Sequence, residues 1–455
     1  MDSARPADNR LAIWTCRALL TGLFVLLTMQ FFTRSTGDWE TVYLSAAKHL
    51  REHGDVLDTK NGYVYPPFGA LFAVPFTLLP RTAGIVAWAV VNLLAATVIL
   101  VGAWRLTGGC GLPGCTGTTT PDYIAFWLGG LLVVGFMLDT AANWQSDLVI
   151  GAILICGCVL LTGGRSIAAG LTFGVAAAFK CTPLLFAPYL LWKRRFVAAG
   201  AVVVAAVGLN LLPDVAYPPS DGKTRLVVWK DRFLTPMSDA NRDPGQWASA
   251  VSFNHSLAGF NLRVFAYERT GVKELPVVPR TERPSAVALK RLNLAWVGVM
   301  GLIALVAFWR RSGEITTGPV FAAELGVVFA LMLMLSPMSS KPHFTILLLA
   351  QLAIVRVGFL NRDRVLLGLA LLIGLGGLCT GKDIVGRTVY DFMMWNGLLF
   401  FMTLGLFLGC CRARYRGVRA SEAIPSSDLA FGLKGRAPSA QPDRAGFQGN
   451  QGFAA

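Results

Sequence analysis

The sequence predicts an all-α polytopic membrane protein of about twelve transmembrane helices, and three observations predict it. Hydrophobic residues make up 54% of the 455 residues and charged residues 15%, with a mean hydropathy of +0.55, well outside the soluble range. Apolar runs recur from Leu11 to Cys411, many of them near the ~20 residues that a helix needs to cross a bilayer. The net charge is +15, but the basic residues lie in short loops and tails beside apolar runs. That is the pattern of the positive-inside rule, and it argues against a nucleic-acid partner.

Taken in order, residues 1–10 form a cytoplasmic N-terminus, because Arg5 and Arg10 precede the first span, Leu11 to Phe32. No small-residue cleavage site follows this run, so it reads as a retained span. Residues 33–81 are then the first outer loop. Within it Val42, Leu44, Ala46, Ala47 and Leu50 alternate with Lys48, His49, Arg51 and Glu52, which predicts a short amphipathic helix in the interface. The apolar piece from Pro66 to Pro80 is shorter than a span requires and reads as a re-entrant or surface helix.

Further spans are expected at about Ala83 to Trp104, Tyr123 to Leu138, Leu148 to Leu161 and Ala168 to Phe179. A short one descends to Lys193-Arg194-Arg195, and Val197 to Leu212 leads into a long outer loop, residues 213–285. Ala286 to Trp309, Pro319 to Leu335, a span ending at Arg356, Val365 to Leu378 and Val389 to Cys411 complete the set. Residues 412–455, rich in Gly, Ala, Pro, Ser and Arg, read as a disordered cytoplasmic tail. Cys110 and Cys115 have no matching pair elsewhere, so a zinc site is not expected.

This topology gathers the unusual polar residues at one membrane face: Asp38, the run Asn143-Trp144-Gln145-Ser146-Asp147, Lys180, Asn254-His255-Ser256 and His343. An ionisable residue at the mouth of a membrane helix is costly unless water, a partner or a task keeps it there. Asp38 reads as a catalytic base, or alternatively as the N-cap of the helical run behind it. Lys180 reads either as a snorkelling lysine or as a grip for a phosphate. The 143–147 run is a substrate-facing segment or a hydrophilic turn. Glu324, within a span, reads as a buried hydrogen-bond partner for a neighbouring helix. No Asp-x-Asp pair occurs in the first loop and no Walker motif occurs, so neither a required metal nor another cofactor is expected.

At these residues the chain resembles the polyprenyl-phosphate-sugar-dependent glycosyltransferases of the GT-C superfamily, and most of all glycosyltransferase family 87, which includes bacterial mannosyltransferases. The resemblance is carried by Gly37-Asp38 with Tyr43, Ala46 and Leu50; Tyr65-Pro66-Pro67; Asn143 to Asp147; Ala169-Gly170 leading to Lys180 and Pro183; Asn254, Ser256 and Arg263; and Ser336-Pro337 with His343. It covers roughly residues 11–411, as one GT-C-like domain. The family often has Gly-Gln-x-Asn where this chain has Asn143 to Asp147, and a Trp and second His near the Ser-Pro.

The resemblance implies an inverting hexosyltransferase, with mannose as the foremost sugar. Its donor is a polyprenyl-phosphate sugar, its acceptor a lipid or glycan, and its site lies on the outer face of the cell membrane. It implies Asp38 as catalytic base, and Lys180 and His343 as phosphate contacts. Tyr65, Gln145, Asp147, Asn254, Ser256 and Arg263 join them as candidate substrate-binding residues. The competing readings are a lipid or sugar transporter, which would need polar groups at mid-depth in several spans, and a non-catalytic lipid-sugar-binding homologue.

Overall fold

The computed structural model describes residues 10–52, 54–57, 62–109, 120–246, 251–269, 277–309 and 318–422. The chain is almost wholly helical. Helices α1 (Arg10–Thr33), α2 (Ser45–Arg51), α3 (Phe68–Ala73), α4 (Arg81–Leu106), α5 (Thr120–Ala142) and α6 (Asp147–Thr162) form the first half. They are followed by α7 (Ser166–Phe179), α8 (Phe186–Trp192) and α9 (Phe196–Ala216). Residues 213–285 carry α10 (Arg225–Trp229), α11 (Leu257–Ala266) and a small antiparallel pair, β1 (Tyr267–Arg269) with β2 (Val277–Pro279). The second half is α12 (Ala286–Trp309), α13 (Pro319–Met334), α14 (Leu348–Leu360), α15 (Arg364–Leu378), α16 (Lys382–Val385), α17 (Arg387–Trp395) and α18 (Leu398–Glu422).

Seven helical stretches among the described residues are long and apolar enough to cross a membrane: α1, α4, α5, α9, α12, the stretch Lys341–Leu360 ending in α14, and the Leu398–Gly417 part of α18. Shorter apolar helices fall at the other five expected spans: α6, α7, the stretch Thr182–Trp192 containing α8, α13 and α15. At about 1.5 Å per residue these are too short to cross an ordinary bilayer untilted and alone. Among them α6 packs on α4 and α7, and α13 on α14 and α18, whereas α15 leaves Val365, Leu371, Leu372 and Leu375 exposed.

Three expectations need correcting. The first loop is not a single surface helix from residue 42. A π-helical turn, Trp39–Leu44, runs directly into α2. Trp39 and Tyr43 share its buried face, and the Trp39 ring stacks on Trp88 of α4 at 3.6 Å with Phe76 against its edge at 5.0 Å. Packed aromatics therefore dock this loop onto the bundle.

The last expected span is interrupted. Asn396 and Gly397 separate α17 from α18, and Gly397 adopts φ +89°, a conformation that suits glycine and ends a helix. The tail also begins later than expected, since α18 continues to Glu422; residues 423–455 and the Cys110/Cys115 pair lie outside the described residues. Pro66 to Pro80 does fold as a short element, α3 followed by a 3-10 turn, Val74–Leu78.

Glu324 is fully buried on α13. Tyr189 donates to its Oε1 at 2.7 Å, Lys193 lies 2.7 Å from the same oxygen, and Arg414 donates to Oε2 at 2.7 Å. One carboxylate thus ties α8, α13 and α18 together at the end of the bundle away from Asp38. Breaking a buried ion pair from one side leaves an uncompensated charge, at about 3–5 kcal/mol. Glu324→Gln should lower the thermal unfolding midpoint of the detergent-purified protein by many degrees, while the surviving folded fraction keeps its activity; an unchanged midpoint would refute the staple.

Candidate active site

The site grows from the turn between α5 and α6. Gln145 N–H bonds back to the Thr140 carbonyl at 3.0 Å, closing α5, and Trp144 turns the chain with φ +52°. A tryptophan in this region is uncommon and must be held by its surroundings. Here Trp88 Nε1 donates to the Trp144 carbonyl at 3.2 Å, and the Trp144 ring stacks on Phe31 at 6.4 Å. Gly37 lies flat on that ring: a Cβ added there would sit 2.5 Å from Trp144 Cγ.

The same turn grips the first loop. Asp38 N–H donates to the Asn143 carbonyl at 2.9 Å, Gln145 Nε2 donates to Asp38 Oδ2 at 2.8 Å, and the Tyr43 and Ser146 hydroxyls meet at 2.8 Å. Asp38 is therefore not a helix cap. Its side chain makes no capping bond, and its φ of −59° and ψ of −32° are already helical. Burial raises its pKa above the ordinary 3.8, Gln145 and Lys180 pull it partly back, and Asp147 adds to the rise. Glu40, two residues on, pairs with Arg81 at 2.6 Å.

Beside this pair stands a second group. Lys180, just past α7, donates to Asp147 Oδ1 at 2.7 Å, and its ammonium sits 5.2 Å from the Tyr65 ring centroid. Burial alone would lower the Lys180 pKa, but Asp147 and Tyr65 outweigh it and the net shift is upward, so the lysine is charged. His343 Nδ1 accepts from Ser340 N–H at 3.0 Å, which in a neutral ring puts the hydrogen on Nε2. That Nε2 is 2.7 Å from Lys180 Nζ and 3.6 Å from Asp147 Oδ1. Asp147 Oδ1 accepts from Lys180, whereas the hydroxyl within reach of His343 Nε2 is Ser340 Oγ at 3.5 Å.

Three candidate binding residues have other partners. Asn254 Oδ1 accepts from Ser256 and Ser339 N–H, and its Nδ2 donates to the Gly245 and Pro337 carbonyls. Ser256 caps α11 through Gly259 N–H, and Arg263 bonds the Asn254 and Trp395 carbonyls. They knit the long loop to the bundle and contribute no visible group to the site. The residue between them does more: buried His255 lines a cavity of about 1180 Å³, and its Nδ1 has no hydrogen-bond partner. Burial, with Arg263, Lys341 and His343 nearby, pushes its pKa well below 6.5, so it is neutral.

That cavity is walled by apolar side chains of α1, α5 and α14, such as Leu23, Leu131 and Leu352, and its polar end carries Arg34, Asp139 and Lys341. Asp139 lies one helical turn before Asn143, which donates to the Asp139 carbonyl at 2.9 Å. The cavity head thus abuts the turn that holds Asp38. Nothing in the apolar periodicity of α1 or α5 marked this groove. Among the described residues, no cluster of three or more His, Cys, Asp or Glu side chains could hold a metal.

Fold and site together define a helical membrane protein with buried carboxylates gathered at one end of the bundle, beside a cavity lined by apolar and charged side chains. The profile of glycosyltransferase family 87 matches residues 63–337, more than half of the chain, and the chain belongs to that family. Asp38 and His343 fall outside the matched stretch. A polyprenol-phosphate-mannose-dependent α-(1-2)-phosphatidylinositol pentamannoside mannosyltransferase of Mycobacterium tuberculosis is 27% identical over 246 residues, covering 50% of each chain. The chain thus spans about half the length of this curated relative. Two solved structures of ArnT from Cupriavidus metallidurans are more distant. The form bound to undecaprenyl phosphate has a TM-score of 0.41 at 13% identity over 90% of this chain and 79% of its own. The apo form has 0.38 at 15% identity over 90% and 78%.

Because Gly37 and Trp144 leave no room for a side chain between them, Gly37→Ala should cost about 1–3 kcal/mol of stability through overpacking. A lowered thermal midpoint in detergent checks it, and an unaltered midpoint contradicts the interlock.

Proposed function

We propose that this protein is an inverting membrane hexosyltransferase, moving mannose from a polyprenyl-phosphate donor to a lipid or glycan acceptor. The observation that carries the reading is Asp38: a half-buried carboxylate with raised pKa, held by one neutral amide and within the field of Lys180, which in turn meets His343. Asp38 takes the proton of an acceptor hydroxyl as that oxygen attacks the anomeric carbon. The bond from this carbon to the phosphate oxygen breaks on the opposite face, and polyprenyl phosphate leaves with the electron pair.

Lys180 and the His343 Nε2 hydrogen suit the growing charge on that phosphate, because donors aimed at a leaving dianion lower the barrier. The apolar groove suits the hydrocarbon chain of a lipid-linked substrate, with its polar end next to Asp38. Family membership and the mannosyltransferase relative support the reading. The basic loops support cytoplasmic termini with the site on the outer face of a cell membrane. The ion-paired state of Glu324 gives no support to a transport path.

The test is incubation of the purified protein with radiolabelled polyprenyl-phosphate mannose and a membrane lipid extract, followed by chromatography. Asp38→Asn should remove about 10²–10⁴ of the rate with no loss of membrane expression; wild-type transfer by this variant would end the proposal. A base must be ionised to act, so activity should fall as pH drops through a pKa above 3.8. A rate that stays flat down to pH 4 would show that Asp38 is not the titrating base.

A further inference from the structure

The cavity beside Asp38 carries charges that no step at Asp38, Lys180 or His343 uses. It follows α1 from Ala18 to Arg34, about 24 Å at 1.5 Å per residue. That is deeper than the ~15 Å of hydrocarbon in one leaflet, half of a ~30 Å core. Leu19 and Leu26 line it and are still exposed, so it opens sideways along α1. A hydrocarbon chain reaches it directly from the bilayer.

Its lining includes five basic and three acidic side chains, a surplus of two positive charges. One pair is closed, Arg269 with Asp391 at 3.6 Å. Arg34, Lys341 and Lys382 all act on Asp139, and Asp383 acts on Lys341 as well. The Lys341 ammonium lies 3.9 Å from Asp139 and 5.6 Å from the Tyr390 ring centroid. Ser252 and His255 line the same cavity, each with a buried polar atom that has no hydrogen-bond partner. Native proteins keep few such atoms without a use.

The turn at 340–343 separates these cations from Lys180. His343 Nε2 is 2.7 Å from Lys180 Nζ, whereas Lys341, two residues earlier, faces Asp139. Asp38 feels both sides: Lys180 acts on it, and it acts in turn on Asp139. Inversion puts the attacking oxygen and the departing phosphate on opposite faces of the anomeric carbon. A donor phosphate beside Lys180 therefore leaves the groove and its cations to the acceptor.

We infer that the acceptor is an anionic lipid, a glycan carried on a phosphodiester, whose chain occupies the groove and whose phosphodiester is held by Arg34, Lys341 and Lys382. A phosphodiester brings one negative charge into the positive surplus, and its oxygens accept charge-assisted hydrogen bonds from arginine and lysine. A neutral glycan or a zwitterionic lipid leaves the surplus uncompensated. The inference rests on Asp38 being the base and on Lys180 facing the donor.

The experiment separates binding from transfer. Full-length protein in detergent, wild type and Asp38→Asn, is melted with phosphatidylglycerol or phosphatidylcholine, probes that share their chains and differ in net charge. Phosphatidylglycerol should raise the unfolding midpoint of both proteins by several degrees more than phosphatidylcholine does. Arg34→Gln/Lys382→Gln, a change of two exposed side chains, should shrink that difference. Equal shifts with the two lipids, or a difference undiminished in the double variant, overturns the site.

Transfer is then followed from radiolabelled polyprenyl-phosphate mannose to a membrane lipid extract divided by anion exchange into anionic and uncharged fractions. Label should enter the anionic fraction. The double variant should raise the apparent KM for that fraction about 25-fold, near fivefold for each cation lost beside an anionic lipid, with the donor KM unchanged. Lys341→Gln should raise the same KM, and Lys341→Arg should not. A raised donor KM with the acceptor KM unchanged gives the cluster to the donor's phosphate and overturns the inference, as does label confined to the uncharged fraction. If Asp38→Asn transfers at the wild-type rate, the function reading fails, and the lipid-dependent melting still decides the site.

Discussion

The grip of the 143–147 turn on the first loop is the constraint on which the site depends. Two segments about a hundred residues apart are joined by a backbone bond from Asp38 to Asn143, a side-chain bond from Gln145 to Asp38 and the Tyr43–Ser146 hydroxyl pair. Each bond is individually modest, near 1 kcal/mol net. Their value lies in geometry: the loop would otherwise be a mobile connection between α1 and α4, and a base on a mobile connection has no fixed aim. The aromatic stack of Trp39 on Trp88 fixes the far side of the same loop.

Much of the fold was legible in the amino-acid order because apolar length and basic loops are strong, local signals. All twelve expected spans coincide with helical segments, although the last extends across the α17–α18 break. The errors arose where one residue decides. Gly397 interrupts an apolar run that composition alone reads as continuous. The inward turn of Trp39 and Tyr43 comes from a π-helical turn, whose period differs from the 3.6 used to read amphipathicity.

The site was legible in part. Asp38, Gln145, Lys180, Asp147 and His343 stood out because polar residues at the ends of apolar runs are conspicuous. Their pairing was not legible: nothing in the order of residues says that Lys180 meets Asp147, since that depends on how α6 and α7 pack. Asn254, Ser256 and Arg263 stood out equally, yet their polar groups meet loop backbone. A polar residue that braces a loop and one that faces a substrate look alike until partners are counted. His255 is the converse, a groove-facing residue hidden between two bracing ones.

Counting partners also separates the buried carboxylates of this protein by purpose. Glu324 is saturated by a lysine, an arginine and a tyrosine. Asp363 caps α15 and meets Arg412 and Arg416. Such saturation leaves the oxygens of both groups engaged by cations and donors. Asp38 receives one neutral amide to its side chain, and burial raises its pKa instead of lowering it. A carboxylate can serve as a base only if its lone pairs are not already engaged, so under-satisfaction is the condition for work. The protein leaves Asp38 in that condition beside a rigid turn, pairs its neighbour Asp147 with Lys180, and ties Glu324 and Asp363 down elsewhere.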